Sequence, residues 1–251
     1  SPMHATKDDI AAFPGVNDRN RRIYCGMLKA MDRNIARVLH QLDKYKLTDN
    51  TIVIFLNDNG GGGSTPNYAA HSRNYANNMP LRGHKFDIHE GGVRVPLIMR
   101  WPRQLEKSRV FEKMVSSTDV YPTVVAAAGL AIPDEKIDGV NLLPHLSGEK
   151  HGVPHEWLCW QNRAWFPQKA GEAGRPASRI HNSAIRSGKW KLVRLKENID
   201  KPNPPAWQLY DLGVDIGEAN DVSARHPKIV LELSQQFNKW RASMHPCIRA
   251  E

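Results

Sequence analysis

Residues 51–60 read TIVIFLNDNG, and this stretch indicates the fold more directly than any other part of the chain. Residues 51–56 form a β-branched and apolar run, without the alternation of polar and apolar side chains that marks a strand with one solvated face. They therefore predict a strand that is buried on both faces, as in a parallel sheet. Asp58 and Asn59 follow at its carboxyl end, where α/β sheets bind their ligands.

An amphipathic helix is predicted on the N-terminal side of this strand. Asn17 or Asp18 can cap its start, and apolar side chains recur every three or four positions up to residue 47. These side chains are Ile23, Met27, Met31, Ile35, Val38 and Leu42. A helix followed by a buried strand is typical of an α/β fold. A second strand at residues 95–99 and a helix at residues 118–128 are predicted to continue that fold.

The C-terminal part of the chain has a different texture. Short strands bounded by turn residues are predicted at residues 183–186, 190–195 and 208–212. A final helix is predicted from Pro227, because apolar residues recur along one face at Ile229, Val230, Leu233, Phe237 and Trp240. These elements predict a small antiparallel sheet covered by a helix. We therefore divide the chain into residues 1–150, an α/β unit, and residues 151–251, a smaller α+β subdomain.

Composition excludes several classes of protein. The chain has 35 Lys and Arg against 26 Asp and Glu, a net charge of +9. This charge attracts anions or serves solubility, and its scattered distribution disfavours nucleic-acid binding. No apolar run of about 18 residues is present, so no membrane span is predicted. Cys25, Cys159 and Cys247 form no C-x-x-C pair and are predicted to be small buried residues, rather than zinc ligands or a disulfide framework.

Asp58 and Asn59 are candidate metal ligands. A carboxylate and an amide oxygen side by side suit a hard cation such as calcium or magnesium. Calcium takes about 6–8 oxygen ligands, so two residues require further ligands from elsewhere. The alternative is an Asp-Asn-Gly turn with no ligand, and these residues alone leave both interpretations open.

Lys85 is a candidate for contact with an anionic ester. It lies between Gly83 and Gly91-Gly92, where the backbone can approach a ligand closely. Its ammonium could neutralise an ester oxygen and a developing leaving-group charge, although most lysines are simply solvated. His84 and His89 are candidate acid–base groups or structural hydrogen-bonding residues. Arg82 and Arg94 are predicted to brace the loop by pairing with Asp87 or Glu90.

Several segments together resemble the formylglycine-dependent sulfatases of the alkaline phosphatase-like superfamily. The matching segments are TIVIFLNDNG (51–60), PLRGHKFDIHEGGVRVP (80–96), STDVYPT (117–123), DGVNLLP (138–144), AIRSGKWKLV (184–193) and LYDL (209–212). The resemblance implies an α/β fold. It corresponds to the C-terminal part of a sulfatase sheet sandwiched by helices, followed by a small α+β subdomain with an antiparallel sheet.

The resemblance also implies roles for individual residues. By position, Asp58 and Asn59 would bind calcium, and Lys85 would contact the sulfate and favour departure of the alcohol. The implied substrate is a sulfated carbohydrate or an aryl sulfate, and the implied location is periplasmic or secreted. Weaker candidates for substrate contacts are His84, Arg163, Arg179 and His181. The tryptophans of residues 157–165 either stack on sugar rings or belong to the core.

One departure from the family pattern is informative. The nucleophile of these enzymes is a formylglycine made within a C/S-x-P-x-R motif, and the sequence contains no such motif. The paired N-terminal aspartates that complete the calcium site are missing too. Residues 1–10 resemble the segment that follows the family's active-site histidine. We therefore expect a C-terminal half that is inactive alone, with the formylglycine and the other calcium ligands outside it.

This expectation has further consequences. Absence of an N-terminal half would leave sheet edge and apolar surface exposed, so a preceding segment or a partner chain is expected to cover them. Two alternatives remain open. One is a non-catalytic, degenerate sulfatase that binds sulfated glycan. The other is a phosphoester hydrolase of the same superfamily, which the LRGHK and EGG pattern disfavours.

Overall fold

The computed structural model describes residues 3–62, 76–132, 137–163, 180–198 and 203–244. The helices in these ranges are α1 (Lys7–Ala11), α2 (Arg19–Lys44), α3 (Glu90–Val93), α4 (Val120–Ala127), α5 (Leu143–Ser147) and α6 (Pro227–Ser243). The strands are β1 (Val53–Leu56), β2 (Leu97–Arg100), β3 (Leu158–Arg163), β4 (Ile180–Ser187), β5 (Trp190–Asn198) and β6 (Gln208–Asp211). None of the described helices has both the length and the apolar character that a membrane crossing requires.

The chain folds as two units. The first comprises residues 1–77 and 95–154, and the second comprises residues 78–94 and 155–251. This division differs from the one expected at residue 150, because the segment that carries Lys85 belongs with the C-terminal sheet. Within the second unit the carboxylate of Glu90 is buried and bonds to Lys191 of β5 at 2.9 Å. A contact of this kind joins residues 101 positions apart, so sequence proximity could not reveal it.

In the first unit, β1 pairs with β2 as an antiparallel two-stranded sheet. Val53 lies opposite Arg100 and Leu56 lies opposite Leu97. The positions of both strands are confirmed, but the prediction of parallel pairing is wrong for this pair. The reason is that an unbroken apolar run reports the environment of the two strand faces and not the direction of the neighbouring strand. All residues of β1 are half-buried.

The predicted long helix is confirmed as α2. Its start is capped by the side chain of Asp18, which accepts a hydrogen bond from the backbone N–H of Arg21 at 2.7 Å. Much of its apolar stripe is nevertheless exposed, with Met31 at 45% and Val38 at 61% exposure. Helix α1 is joined to α2 by Asp9, which receives hydrogen bonds from Arg33. Those bonds hold the pKa of Asp9 at about 2.

The helix predicted at residues 118–128 is confirmed as a short 3-10 turn, Ser117–Asp119, followed by α4. Asp119 is fully buried, and its carboxylate accepts hydrogen bonds from the backbone N–H groups of Ser116 and Val140 at 2.7 and 2.9 Å. Thr123 accepts one from the N–H of Leu142 at 2.9 Å. Buried polar side chains therefore fasten the loop at residues 137–142 to α4.

The second unit contains an antiparallel sheet with the strand order β3-β4-β5-β6. The predicted strands correspond to β4, β5 and β6, and α6 begins at Pro227 as predicted. Helix α6 covers one face of the sheet, where a core cluster contains Ile185, Leu192, Trp207, Leu209, Val222, Leu233 and Phe237. The opposite face carries a second cluster, formed by Ile88, Ala184, Val193, Tyr210 and Leu212. Residues 78–94 thus contribute Ile88 to the face that α6 does not cover.

The aromatic stretch after residue 156 belongs largely to the core. Trp157 and Trp160 are partly buried and pack against the two clusters, which favours the core interpretation over sugar stacking. Trp157 precedes β3 and Trp160 lies within it. This strand is not among those predicted from the sequence. Cys159 is half-buried in the same strand, and burial raises the pKa of its thiol to about 12. Cys25 is also half-buried, whereas Trp165 and Cys247 lie outside the described residues.

Candidate functional site

Asp58 and Asn59 lie immediately after β1, at the position that the sequence predicted. Asp58 is exposed, Asn59 is half-buried and Gly60 is buried. One carboxylate oxygen of Asp58 accepts a hydrogen bond from the backbone N–H of Asn59 at 2.9 Å. The side-chain amide of Asn59 donates to the carbonyl of Gly60 at 2.8 Å. The nitrogen of the Asn59 side chain is therefore engaged, and its oxygen is the atom that could meet a cation.

The chemistry of this pair fits a hard cation. Calcium prefers carboxylate and amide oxygens, and adjacent Asp58 and Asn59 offer both. Among the described residues no group of three or more His, Cys, Asp or Glu is placed to hold a metal ion. The pair can therefore supply part of a calcium site, with most of the 6–8 oxygens coming from outside this pair.

Lys85 lies in a tight turn of the second unit. The backbone N–H of Asp87 donates to the carbonyl of His84 at 2.8 Å, so that Lys85 and Phe86 occupy the centre of the turn. Phe86 has a φ of 75°, in the left-handed region. The Lys85 ammonium lies 5.4 Å from the centroid of the Phe86 ring. The Lys85 side chain is half-buried, and its ammonium lies against an aromatic face that attracts cations.

The glycines of the EGG segment allow this turn to pack closely. A Cβ on Gly92 would lie 2.1 Å from the carbonyl oxygen of Asp87 and 2.7 Å from that of His84. A Cβ on Gly91 would lie 2.5 Å from the carbonyl oxygen of Arg82, to which the N–H of Gly91 donates at 2.7 Å. Only glycine fits at these two positions, so the LRGHK and EGG segments form a single packed unit.

A buried ionic cluster anchors the EGG segment to the sheet. Glu90, Lys191 and Glu218 are each 1% exposed or less. The Lys191 ammonium lies 2.9 Å from the Glu90 carboxylate and 3.1 Å from that of Glu218. Arg186 bonds to Glu90 at 3.1 Å. Burial acts to raise the pKa of Glu90, but the charge and hydrogen bond of Lys191, with Arg186 and Arg94, lower it below its ordinary value.

The two arginines of the loop have different partners. Arg94 pairs with Glu90 at 3.5 Å, as predicted. Arg82 does not bond to Asp87 or Glu90, and this part of the prediction is wrong. Its guanidinium donates instead to the backbone carbonyl of Glu218 at 2.8 Å and to the Tyr210 hydroxyl at 3.3 Å. The sheet brings these partners from more than 120 positions away, which a search of nearby sequence could not anticipate.

The two histidines of the loop make local hydrogen bonds. His84 donates from Nδ1 to the carbonyl of Lys85 at 2.7 Å, so it braces the turn. His89 is buried, and its Nδ1 lies 2.6 Å from the carboxylate of Asp87. Burial acts to raise the pKa of Asp87, but its hydrogen bonds and charge interaction with His89 lower it. These contacts favour the structural interpretation of both histidines over acid–base catalysis.

The remaining substrate candidates lie in or near β3 and β4. Arg163 pairs with His181 in the register of these strands. His181 is also opposite Glu197 of β5, and cross-strand partners share a face of the sheet. Glu197 bonds to Arg241 of α6 at 3.1 Å, so His181 lies on the α6 face and not on the face that carries residue 88. The Arg163 side chain and all of Arg179 lie outside the described residues.

Sequence reasoning missed the residues that hold the Lys85 turn. These are Asn162, Arg186, Lys191 and Glu218, all from the C-terminal sheet and the loop that follows it. Lys191 left one signal, because a lysine between Trp190 and Leu192 breaks an otherwise apolar stretch. Asn162 and Glu218 left none, since their partners are backbone groups and side chains far away in sequence.

Comparison with known proteins identifies the family. A family model described as "Sulfatase" matches residues 1–130, and one described as "N-sulphoglucosamine sulphohydrolase, C-terminal" matches residues 84–243. The chain belongs to the sulfatase family, and its structural neighbours are alkaline phosphatase-like sulfatases. The predicted fold, an α/β core followed by a small α+β subdomain with an antiparallel sheet, is thereby confirmed.

Individual relatives agree with this assignment. The chain is 38% identical to steryl-sulfatase of Mus musculus over 94% of its own length and 40% of that protein. It is 29% identical to N-acetylgalactosamine-6-O-sulfatase of Bacteroides thetaiotaomicron over 82% of its length and 39% of that protein. The crystal structure of Ps i-CgsB superposes with a TM-score of 0.76 at 31% identity, covering 96% of this chain and 47% of that one. The chain thus spans less than half the length of these relatives.

Proposed function

We propose that this chain is part of a sulfatase that hydrolyses a sulfate ester, and that Asp58, Asn59 and Lys85 are its contribution to the active site. The observation that carries the proposal is the construction of the Lys85 turn. Its backbone packs on Gly91 and Gly92 without room for a side chain, and buried charges fasten it to the sheet. Such a construction fixes the backbone from which the Lys85 side chain extends, and a fixed origin suits a cation that stabilises charge on an anionic substrate.

Each residue has a distinct chemical task. The Lys85 ammonium offsets negative charge on a sulfate oxygen and on the departing alcohol, and this charge is largest in the transition state. Asp58 and Asn59 would hold calcium, which when bound supplies positive charge that orients the sulfate. The formylglycine nucleophile and the remaining metal ligands are expected outside these residues, by resemblance to the family.

A sulfated carbohydrate is the proposed substrate. The solved structure of Ps i-CgsB in complex with k-i-k-neocarrahexaose, an oligosaccharide, is 30% identical to this chain. The net charge of +9 favours attraction of a polyanionic glycan. Export to the periplasm or the medium, where such glycans are found, is part of the same proposal.

The first unit supports the expectation of a covering segment or partner. Among its described residues, the buried apolar side chains are those of Trp101, Pro122 and Leu142. The stripe on α2 is exposed at Leu28, Met31 and Val38. A unit with so little buried apolar surface gains stability when another surface covers this stripe. We propose that the N-terminal half of the same enzyme, or a partner chain, does so.

The proposal is tested with the native polypeptide that carries these 251 residues and with the 251-residue chain alone. We expect the native polypeptide to hydrolyse 4-nitrophenyl sulfate, to lose activity with a calcium chelator and to regain it with added calcium. We expect Lys85→Ala to lower kcat/KM by about a hundredfold or more. The chain alone is expected to be inactive. An enzyme-like rate from the chain alone would contradict the proposed division of the site.

The same assay separates the alternatives. Preference for 4-nitrophenyl phosphate over the sulfate would favour a phosphoester hydrolase. Failure to hydrolyse either ester, combined with saturable binding of heparin in calorimetry, would favour a non-catalytic glycan-binding protein. The matched control is Lys107→Ala, because Lys107 is an exposed lysine that is not among the residues proposed for the site.

A further inference from the structure

The C-terminal sheet supplies a direct tether to the turn that carries Lys85. The side-chain amide of Asn162, in β3, donates a hydrogen bond to the carbonyl of Phe86 at 2.9 Å. Phe86 is the residue that follows Lys85 at the centre of the turn. The bond joins positions 76 apart in sequence, so it ties the tip of the loop to a strand and not to its own neighbours.

The tethered residue has an unfavourable backbone conformation. Phe86 has a φ of 75°, a region that bulky side chains rarely adopt. Such a conformation persists only where the surroundings fix it, and it is found disproportionately at functional sites. Phe86 is 58% exposed, so burial of this residue does not account for the conformation. The bond to its carbonyl is a specific restraint on this conformation, in addition to the hydrogen bond from the Asp87 N–H to the His84 carbonyl.

Asn162 also carries a cost that a purely structural position would avoid. Its side-chain oxygen is buried and has no hydrogen-bond partner among the described residues. A buried polar atom without a hydrogen-bond partner lowers the stability of a fold. An apolar residue on this face, which Trp160 and Ala184 share, would carry no such cost. The hydrogen bond that the Asn162 amide donates to Phe86 therefore matters more at this position than the better packing of an apolar side chain.

From these observations we infer that Asn162 is a positioning residue for Lys85. By holding Phe86 in the left-handed conformation, it fixes the direction in which the preceding lysine leaves the turn. The inference rests on the proposed role of Lys85 as the sulfate contact. A long flexible lysine stabilises charge in a transition state best when its origin is fixed beforehand, and small misplacements are costly.

The experiment compares Asn162→Leu with Asn182→Leu in the native polypeptide. Asn182 pairs with Asn162 across β3 and β4, and its side-chain oxygen accepts one hydrogen bond, from the backbone N–H of Lys196 at 3.0 Å. Both substitutions remove one bond from the same face of the sheet, but only the first touches the turn. We expect Asn162→Leu to lower kcat/KM for 4-nitrophenyl sulfate by about tenfold to a hundredfold. We expect Asn182→Leu to lower it less than about threefold.

A double substitution separates positioning from structural damage. In a Lys85→Ala background, Asn162→Leu is expected to cause no further loss, because the group that it positions is already gone. A general weakening of the fold would lower activity equally in both backgrounds. Hydrogen exchange of the native polypeptide adds a readout that does not depend on activity. The amide of Asp87, which closes the turn, should exchange at least about tenfold faster in Asn162→Leu and unchanged in Asn182→Leu.

The outcomes are distinguishable. Suppose that the native polypeptide is active but that Asn162→Leu does not change kcat/KM, or lowers it just as much in the Lys85→Ala background. Either result overturns the inference and leaves the proposed function standing. An unchanged exchange rate of the Asp87 amide in Asn162→Leu likewise overturns the inference. An inactive native polypeptide overturns the proposed function, and with it the role in positioning. If Asn162→Leu does not fold, Asn162→Ala, which adds no bulk, replaces it in each arm.

Discussion

Lys191 is the single residue whose removal should damage the second unit most. Its ammonium is completely buried between two carboxylates, those of Glu90 and Glu218. Lys191→Met keeps the apolar stem but removes the ammonium that the two carboxylates share, so Glu90 keeps only Arg186 and Arg94 as ion-pair partners. Breaking a buried ion pair from one side costs about 3–5 kcal/mol. We expect a loss of that size in the free energy of unfolding, measured by urea denaturation with tryptophan fluorescence.

Lys189 provides the matched control for this prediction. It lies two positions away and pairs with Asp211 at 2.7 Å, but its side chain is 56% exposed. Lys189→Met should change the urea midpoint far less, because solvent already screens this pair. Equal effects of the two substitutions would show that the buried cluster contributes no more than a surface ion pair.

The pKa of Glu90 makes the stability of this cluster depend on pH. Its folded-state pKa lies below the ordinary value of 4.5. The carboxylate therefore contributes stability above that value, and the contribution is lost as pH falls through the folded-state pKa. We expect the difference in unfolding free energy between the native protein and Glu90→Gln to be largest near neutral pH and to shrink in acid. A difference that stays constant down to about pH 3 would contradict this.

At the residue scale, the sequence indicated which residues are chemically suited to a site better than it indicated which residues contact one another. Asp58, Asn59 and Lys85 became candidates for the site because their residue types and spacing match a known pattern. The partner of Arg82 was predicted wrongly, because the nearest carboxylates in sequence are not the nearest acceptors in space. The tether from Asn162 could not be predicted, since a single asparagine in a strand has no sequence signature.

At the scale of elements, the EGG segment is the most sensitive to added volume. A Cβ on Gly92 would overlap the carbonyl oxygens of His84 and Asp87. Gly92→Ala must therefore displace the Lys85 turn, at a cost of about 1–3 kcal/mol or more. We expect a lower urea midpoint and faster amide exchange across residues 81–88. The control is Gly15→Ala, where a Cβ would have no atom within 4 Å and should be tolerated.

Helices and strands were predictable where their periodicity was strong. Helix α2 and strands β4, β5 and β6 were found at the predicted positions because apolar spacing and turn residues specify them locally. The antiparallel pairing of β1 with β2 was not predictable, because the direction of a neighbouring strand depends on the path of the chain between the two strands. Strand β3 was missed because Trp157 and Trp160 were interpreted only as core or sugar-stacking residues, and the residues around them show no clear alternation.

At the scale of the whole molecule, the exposed stripe on α2 predicts the behaviour of the isolated chain. Leu28, Met31 and Val38 lie at helical spacing and are each more than 40% exposed. The chain alone should bind an apolar fluorescent dye, because such a stripe offers it a contiguous surface. Replacing Met31 and Val38 together by lysine should reduce dye fluorescence and self-association, as measured by light scattering. The control is Val214→Lys, at an 88% exposed residue in the other unit.

The unit boundaries show what periodicity alone cannot give. Composition placed a division near residue 150, and the contacts of the described residues do change close to Pro154. The membership of residues 78–94 could not be foreseen, because it depends on the charges of Lys191 and Glu218 and on the packing of Ile88. These interactions are long-range, and sequence order carries little information about them.

The placement of residues 78–94 has a consequence for recombination between relatives. Because this segment lies in the middle of the chain but its counter-charges lie after residue 155, the second unit is not a continuous module. A chimera that exchanged only the C-terminal hundred or so residues would pair a foreign sheet with this chain's Glu90. Such exchanges should succeed only when the loop and the sheet come from the same parent. An exchange that is meant to keep Lys85 in its place therefore has to carry residues 78–94 and the sheet together.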